Sequence, residues 1–144
     1  MKILNKKARF EYHILETLEA GVVLSGAEVK SVRAGRVDLS ESFIRVQNGE
    51  LYLKNAYIYP YLGAREDYDP KKDRKLLVHK KQLNSLIGKT SKAGVTLIPL
   101  CFYTTRNLIK VEVAVAASKK KFDKRRAIKA RDEQRRIEQE LRGR

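Results

Sequence analysis

The side chains that most often carry catalysis are scarce in this sequence. It contains two histidines and one cysteine: His13, His79 and Cys101. None lies in an HExxH, CxxC, GxSxG or P-loop pattern, the spacings that build metal, redox, nucleophile or phosphate sites. The histidines, in a predicted strand and before a predicted helix, are expected to make ordinary hydrogen bonds, and the cysteine to be a buried small hydrophobe. We therefore predict that the protein is not an enzyme.

The run EDYD at 66–69 is an acidic cluster that could attract a cation. Ca²⁺ and Mg²⁺ prefer carboxylate oxygens, but they need several that converge on one point. A single short loop offers few convergent oxygens, and a solvated acidic turn has the same composition. We expect no metal and no cofactor.

Positive charge beside aromatic rings is the more informative pattern. The segment NKKARFEY interleaves Lys6, Lys7 and Arg9 with Phe10 and Tyr12. Cations that bind phosphates, beside rings that stack on bases, are typical of RNA-binding surfaces. A basic N-terminal arm that leads into a core strand fits the same residues, so both interpretations remain open.

Two further basic groups could contact phosphates. Lys30 and Arg33 are three residues apart on a predicted helix, which places them on one face, although such a face is often only solvated. The run DPKKDRK supplies Arg74 and Lys75 on a predicted loop, and loops often carry binding residues. A merely soluble loop would have the same composition.

The overall charge favours a polyanionic partner. The 144 residues include 32 Lys and Arg against 17 Asp and Glu, a formal net charge of +15. Nucleic acid and anionic membrane are the usual partners of so basic a protein. No run approaches the ~20 apolar residues of a membrane span, the start of the chain lacks a secretory signal, and a single cysteine suits a reducing cytosol. We predict a cytoplasmic nucleic-acid-binding protein with no membrane partner.

Short strands dominate the first 117 residues. Residues 10–18 alternate as a strand does, and the run EAG at 19–21 is expected to be a short connection. Asn48-Gly49 predicts a hairpin because both turn positions need positive φ. A second hairpin is expected around 106–107 between strands rich in β-branched residues. Pro99 indicates a sheet edge or a bulge.

Two short helices are expected between these strands. One begins at the capping residue Ser25 and ends at Gly35. The other covers 79–89, with Gly88 as a plausible C-terminal cap. The fold class is mainly β: about six short strands fit a small antiparallel oligonucleotide-binding (OB-like) barrel, whose closure removes exposed sheet edges. A two-sheet sandwich is the alternative.

A basic C-terminal tail, residues 118–144, follows the predicted barrel of residues 1–117. The tail holds 12 Lys and Arg against five Asp and Glu. Residues 124–142 contain no Pro or Gly and are rich in helix-forming residues. They make no continuous apolar stripe, however, and an isolated helix of this length is marginal in water. We expect a tail that is disordered when free and helical when phosphates neutralise its charge.

Stretches along nearly the whole chain resemble the SsrA-binding protein (small protein B) family. They lie at 5–35, 41–50, 74–83, 94–103 and 119–125. The order and spacing of EAG, EVKS and DKR within them are highly specific. The resemblance implies an OB-like barrel that binds the tRNA-like domain of transfer-messenger RNA and carries this RNA to stalled bacterial ribosomes.

The resemblance also implies partners and site residues. Its RNA-contact positions fall on Asn5, Lys6, Glu19 and Leu77. The tail, with its DKR motif at 123–125, would enter the decoding centre and the empty mRNA channel of the small ribosomal subunit. Elongation factor Tu is a further expected partner, through the shared RNA.

Two sets of candidate residues result when the basic groups are added to the positions implied by the resemblance. The predicted contacts with the tRNA-like RNA are Asn5, Lys6, Lys7, Arg9, Glu19, Lys30, Arg33, Arg74, Lys75 and Leu77. The predicted ribosome contacts in the tail are Lys119, Lys120, Lys121, Phe122, Asp123, Lys124, Arg125, Arg126, Lys129 and Arg131.

Three positions depart from the pattern of the family. Ser118 stands where Gly usually precedes a lysine pair, Gln82 where Glu is frequent, and Asn107-Leu108 where the turn usually contains Gly. The first could alter the hinge between barrel and tail.

Overall fold

Twelve elements follow one another through the main part of the chain. The computed structural model describes residues 2–119 and 131–139. In chain order the elements are β1 (Lys2–Leu4), α1 (Lys6–Glu11), β2 (Tyr12–Val22), α2 (Gly26–Arg33), β3 (Val37–Asp38), β4 (Phe43–Gln47), β5 (Glu50–Lys54), β6 (Tyr57–Ile58), β7 (Arg74–Leu77), α3 (Lys80–Thr90), β8 (Val95–Thr105) and β9 (Leu108–Ser118). Residues 131–139 form a further helix, and every residue in it is exposed.

Antiparallel strands close into a barrel in the order β8–β4–β5–β7–β2–β9, because β9 also pairs with β8. The inward side chains form the main core, which includes Leu51, Leu53, Phe102, Val111 and Val113. β1 extends the sheet beside β8, and β3 and β6 form a separate two-stranded sheet. The predicted antiparallel barrel is confirmed, and the two-sheet alternative is not.

Both predicted hairpins are confirmed, and their turns have the expected backbone. Asn48 has φ 52° and Gly49 has φ 73° between β4 and β5. Arg106 and Asn107, at φ 50° and 66°, join β8 to β9. The register between these long strands shifts between Pro99 and Cys101, so the proline marks a bulge.

The helix predictions are correct in position, with one wrong boundary. Ser25 caps α2 through a capping box with Glu28, and Gly35 follows at φ 76°. Gly88 does not end α3, which continues to Thr90. The residues after Gly88 continue the backbone ladder, and the Thr90 hydroxyl donates to the Leu86 carbonyl at 2.8 Å.

Two predictions for the first strand are wrong. Phe10 lies in α1 rather than in a strand, because Ala8 of that helix packs into a second small core on the barrel wall. Residues 19–21 are not a connection, since β2 continues through them to Val22 and pairs with β9 and β7. The described residues contain no helix that is both long and apolar enough to cross a membrane.

Candidate nucleic-acid interface

Helix α1 is fastened to the outside of the barrel. The Asn5 backbone N–H donates to the Leu100 carbonyl at 2.8 Å, and Asn5 Nδ2 donates to the Pro99 carbonyl at 2.9 Å. Ala8 is buried among the outward side chains of β8 and β9. The bulge at Pro99 thus offers two consecutive carbonyls to one asparagine, which fixes where the helix starts.

This attachment divides the basic residues of α1 into two directions. Lys6 and Arg9 are exposed and line a cleft of about 180 Å³ together with Leu4 and Glu112. Lys7 lies on the other side, 3.1 Å from Glu41 Oε1, and this hydrogen-bonded ion pair raises the pKa of Lys7. Among the described residues, neither Lys6 nor Arg9 forms an ion pair, which leaves their charges available to a partner.

The register of the strands continues this cleft across the barrel wall. Leu4 pairs with Cys101, Cys101 with Glu112, and Glu112 with Glu19. The next outward row runs from Lys2 through Tyr103, Lys110 and Gly21 to Leu77. We call the outward side chains of these rows the outer strand face: Lys2, Leu4, Glu19, Leu77, Tyr103, Lys110 and Glu112.

A second, larger cleft of about 470 Å³ lies at the far end of the outer strand face. Glu19, Leu77 and Lys110 line it, with His79 and Gln82 from the start of α3. Gly21 leaves room here, since a Cβ on it would lie 3.3 Å from the Cβ of Leu77, which is closer than ordinary van der Waals contact. The Leu77 side chain is 52% exposed despite its place in a strand.

Glu19 is held in place from β8, across the intervening β9, because the Tyr103 hydroxyl donates to its carboxylate. Burial first, and then the hydrogen bond to Glu19, raise the pKa of Tyr103, so the phenol remains a donor. The remaining lone pairs of the carboxylate can accept from the amino or imino groups of a base. Lys110 adds a cation for phosphate, and Leu77 an apolar surface for a base or sugar.

Lys110 was missed in the sequence. Its outward direction could have been inferred from the alternation along β9, because Ile109, Val111 and Val113 face inwards. Only the pairing of Lys110 with Tyr103 on one side and Gly21 on the other shows that it faces this cleft. Position along a strand gives the face, but the neighbours come from the register.

Four predicted RNA contacts lie outside both the outer strand face and the segment of Asn5 and α1. Lys75 forms an ion pair with Glu50 Oε1 at 3.0 Å, on the β5 side of Leu77. Lys30 lies over the ring of Tyr61, and Arg33 Nη2 donates to the Asn107 carbonyl at 2.9 Å. Arg74 is only 1% exposed, so the prediction that it contacts RNA is wrong.

Arg74 instead belongs to a buried ion network with Glu28, Tyr68 and Lys72. Its Nη2 lies 2.8 Å from Glu28 Oε2, and its Nη1 donates to the Ala56 carbonyl at 2.6 Å. Lys72 Nζ lies 3.3 Å from the other Glu28 oxygen. Burial alone would raise the pKa of Glu28, but hydrogen bonds from Ser25 and Arg74 and the charges of Arg74 and Lys72 lower it.

Asn5 also differs from a simple RNA contact. It is 9% exposed, and its Nδ2 is occupied by the Pro99 carbonyl. Its Oδ1 is buried with no hydrogen-bond partner within the described part of the chain. Asn5 therefore positions α1, which carries the exposed Lys6 and Arg9.

Only the two ends of the predicted tail site fall within the described residues. The Lys119 backbone N–H donates to the Glu11 carbonyl at 3.0 Å, and its Nζ donates to the Arg9 carbonyl at 3.0 Å. Arg131 is exposed and helical. The other predicted tail contacts lie outside the described residues: Lys120, Lys121, Phe122, Asp123, Lys124, Arg125, Arg126 and Lys129.

The groups considered for catalysis have ordinary surroundings. Cys101 is buried as predicted, and burial raises the pKa of its thiol. The His79 backbone N–H donates to Gln82 Oε1 at the start of α3. Across residues 2–119 and 131–139, no group of three or more His, Cys, Asp or Glu side chains is placed to hold a metal ion.

Comparison with known proteins places the chain in a family. A family model described as SmpB protein matches residues 2–143. The chain belongs to the SmpB family. The resemblance noted in the sequence is thereby confirmed.

Named relatives in the SmpB family cover almost the full chain. The SsrA-binding protein of Carboxydothermus hydrogenoformans is 50% identical over 141 residues, 97% of this chain and 95% of the relative. That of Geobacillus thermodenitrificans is also 50% identical, over 97% of this chain and 91% of the relative. A solved structure described as "tmRNA-SmpB: a journey to the center of the bacterial ribosome" matches with 46% identity and a TM-score of 0.70, over 88% of this chain and 94% of that one.

Proposed function

We propose that this protein binds the tRNA-like domain of transfer-messenger RNA and delivers it to stalled ribosomes for trans-translation. It acts by binding RNA and not as an enzyme. The observation that supports this best is the joining of α1 to the outer strand face. Lys6, Arg9, Glu19 and Leu77, predicted from separate parts of the sequence, lie along two adjoining clefts.

The outer strand face has the mixture of groups that a folded RNA requires. Lys6, Arg9 and Lys110 supply cations for phosphates, which fix position and register. Glu19 is an acceptor for a base edge, and a carboxylate that faces RNA phosphates is repelled by them unless it accepts such a hydrogen bond. Leu77 is an exposed apolar contact. A surface for RNA of any sequence would need the cations and rings, but not the oriented carboxylate.

The tail starts beside this surface. β9 ends at Ser118, and Lys119 is bonded to the carbonyls of Arg9 and Glu11 in α1. The RNA-contacting helix and the origin of the tail are therefore fixed to each other. A bound tRNA-like RNA and the start of the tail would then reach the ribosome at fixed positions relative to each other.

The basic tail supplies the ribosome contact in this proposal. A stalled ribosome at a broken message has an empty mRNA channel lined by phosphates, and each neutralised phosphate releases counterions. An intact message would fill the same channel and exclude the tail. Selection of stalled ribosomes would come from available space, and affinity from charge. The protein would act in the cytoplasm, and elongation factor Tu would meet it through the shared RNA.

A truncation separates the two parts of this proposal. A chain ending at Lys119 keeps the bonds from that residue to α1 and removes the rest of the tail. We expect it to bind tRNA-like RNA within about threefold of the full chain, since the outer strand face is intact. Peptide tagging on stalled ribosomes should be lost. Loss of RNA affinity in a filter-binding assay would contradict this division.

Sequencing the RNA that co-purifies with the full chain tests the proposed partner. One dominant species with a tRNA-like fold is expected. A broad mixture of short single strands would instead indicate a general single-strand-binding module.

A further inference from the structure

A loop between β6 and β7 exposes apolar and aromatic side chains that the fold does not use. We call residues 59–65 the tyrosine loop. Leu62 at its tip is 91% exposed, and Tyr59 and Tyr61 are 42% and 36% exposed. Side chains at these exposures add little to the core. A contiguous group of them is typical of a binding surface.

Two cations lie against the rings of this loop. Arg36 Cζ is 5.6 Å from the centroid of Tyr59, and Lys30 Nζ is 5.4 Å from the centroid of Tyr61. The edge of Tyr57 supports Tyr59, with ring centroids 4.7 Å apart at 72°. Aromatic rings with adjacent cations combine stacking for a base with charge for its phosphates.

The backbone of the tyrosine loop is held in one shape. The Ser31 hydroxyl donates to the Tyr59 carbonyl at 2.7 Å, and the Tyr59 N–H donates to the Arg36 carbonyl at 3.1 Å. A turn follows, in which the Ala64 N–H donates to the Tyr61 carbonyl at 2.8 Å and Gly63 has φ 85°. These hydrogen bonds restrict the backbone of the loop, which lowers the cost of ordering it on binding.

The buried ion network holds the base of the same loop. Tyr68 donates to the Ile58 carbonyl at 2.9 Å, on the strand that enters the loop. Arg74, on the strand that leaves it, reaches the Ala56 carbonyl and Glu28 of α2. Burying an ion pair is costly, and apolar side chains of similar volume often stabilise a fold as well. The network therefore has a specific effect, which is to join both ends of the loop to α2.

The cations that contact the rings favour a polyanion at the tyrosines. Lys30 and Arg36 lie against Tyr61 and Tyr59, and Arg65 ends the loop. The three acids of this region, Glu66, Asp67 and Asp69, come after the loop. All of these charged side chains are exposed.

We propose that the tyrosine loop is a second RNA-contact surface, which stacks an unpaired base on Tyr61 or Tyr59 while Lys30 and Arg36 reach its flanking phosphates. The inference rests on the proposed function, since it takes the partner to be RNA. An unpaired base of this kind could come from the tRNA-like RNA or from ribosomal RNA. The surface is separate in residues from the outer strand face.

The chain has no tryptophan, so Tyr61→Trp introduces a single indole into the loop. Stacking of a base on that indole is expected to quench its fluorescence at least about twofold. Two titrations distinguish the sources, one with tRNA-like RNA and one with small ribosomal subunits. The control is Leu15→Trp, at an exposed position of β2, which should change little in either titration.

RNA affinity measured by filter binding separates failure of this inference from failure of the proposed function. If the chain binds RNA but the fluorescence of Tyr61→Trp changes no more than that of Leu15→Trp in either titration, the inference is overturned. If RNA-free ribosomal proteins change the fluorescence of Tyr61→Trp and neither RNA source does, the inference is overturned and the partner is a protein. Two further variants test stacking on the RNA that quenches the fluorescence of Tyr61→Trp. Tyr61→Leu should weaken binding to that RNA about tenfold, and Tyr61→Phe should bind it as the wild type does.

Discussion

Lys6 and Arg9 are exposed on α1 and form no ion pair with the residues that the structure describes, whereas Arg74 lies in the interior, 2.8 Å from Glu28. All three come from basic runs that resemble one another in the sequence. In the outer strand face and α1, charge is left for a partner to neutralise. In the buried ion network, charge is neutralised within the fold. The comparison shows that the use of a cation depends on whether a distant acid reaches it.

Removing the acid of the buried ion network should have the largest effect. Glu28→Gln leaves the guanidinium of Arg74 buried without its counter-charge, and we expect a loss of about 3–5 kcal/mol in the free energy of unfolding. Urea denaturation followed by circular dichroism measures this. The matched control is Glu50→Gln, which removes the acid of a half-exposed pair with Lys75 and should change little. Equal effects of the two substitutions would contradict the comparison.

Removing Glu19 from the outer strand face should affect binding and not stability. Glu19→Ala deletes the acceptor for a base edge, and we expect affinity for tRNA-like RNA to fall about 10–100-fold, as for a hydrogen bond to a charged group. Glu19→Gln keeps one acceptor and should lose less. Glu16→Ala, another exposed position on β2, is the control. If neither Glu19 substitution weakens binding in a filter assay, Glu19 makes no RNA contact.

The pH dependence of stability should also reveal the buried ion network. The pKa of Glu28 is lowered from 4.5 in the folded protein. Its contribution to stability is therefore fully present above that value and is lost as the pH falls through the lower folded value. We expect the urea midpoint of the wild type to fall with decreasing pH below about 4.5, and that of Glu28→Gln to fall less. Parallel curves for the two proteins would contradict the assignment.

The smallest expected effect is on the salt dependence of RNA binding, and it should distinguish Lys6 from its neighbour Asn5. Lys6→Gln removes one phosphate contact, so the slope of log affinity against log salt should decrease by about one. Asn5→Ala should leave the slope unchanged. It should lower the free energy of unfolding by about 1–3 kcal/mol, because the buried Pro99 carbonyl loses its donor. A reduced slope for Asn5→Ala would show that it contacts RNA directly.

Elements governed by local rules could be predicted from the sequence. The turn at Asn48-Gly49 needs positive φ at both positions, and Ser25 with Glu28 forms a capping box within four residues. The closed antiparallel barrel followed from the number of short strands. In the turn and the helix cap the residues that decide the structure are adjacent or nearly so, whereas the barrel was predicted from the number of strands and not from which strands pair.

Features decided by distant contacts could not be predicted in the same way. Glu28 and Arg74 are 46 positions apart, so nothing near Arg74 shows that it is buried. Helix α1 depends on packing of Ala8 against strands that come about 90 residues later. Continuation of β2 through Gly21 depends on pairing with Leu77 of β7 and Lys110 of β9, which lie far along the chain. Of the candidate site, the residue types were predictable, but the two clefts follow from strand register.

The most direct test places a carboxylate at either of two exposed apolar positions. Leu77 lies in the outer strand face and is 52% exposed, and Ile87 lies on α3 and is 43% exposed. We expect Leu77→Glu to weaken binding to tRNA-like RNA at least about 100-fold, because it adds negative charge and removes an apolar contact within the interface. Ile87→Glu should change affinity less than about threefold. Equal affinities of the two variants, both folded by circular dichroism, would show that RNA does not bind at the outer strand face.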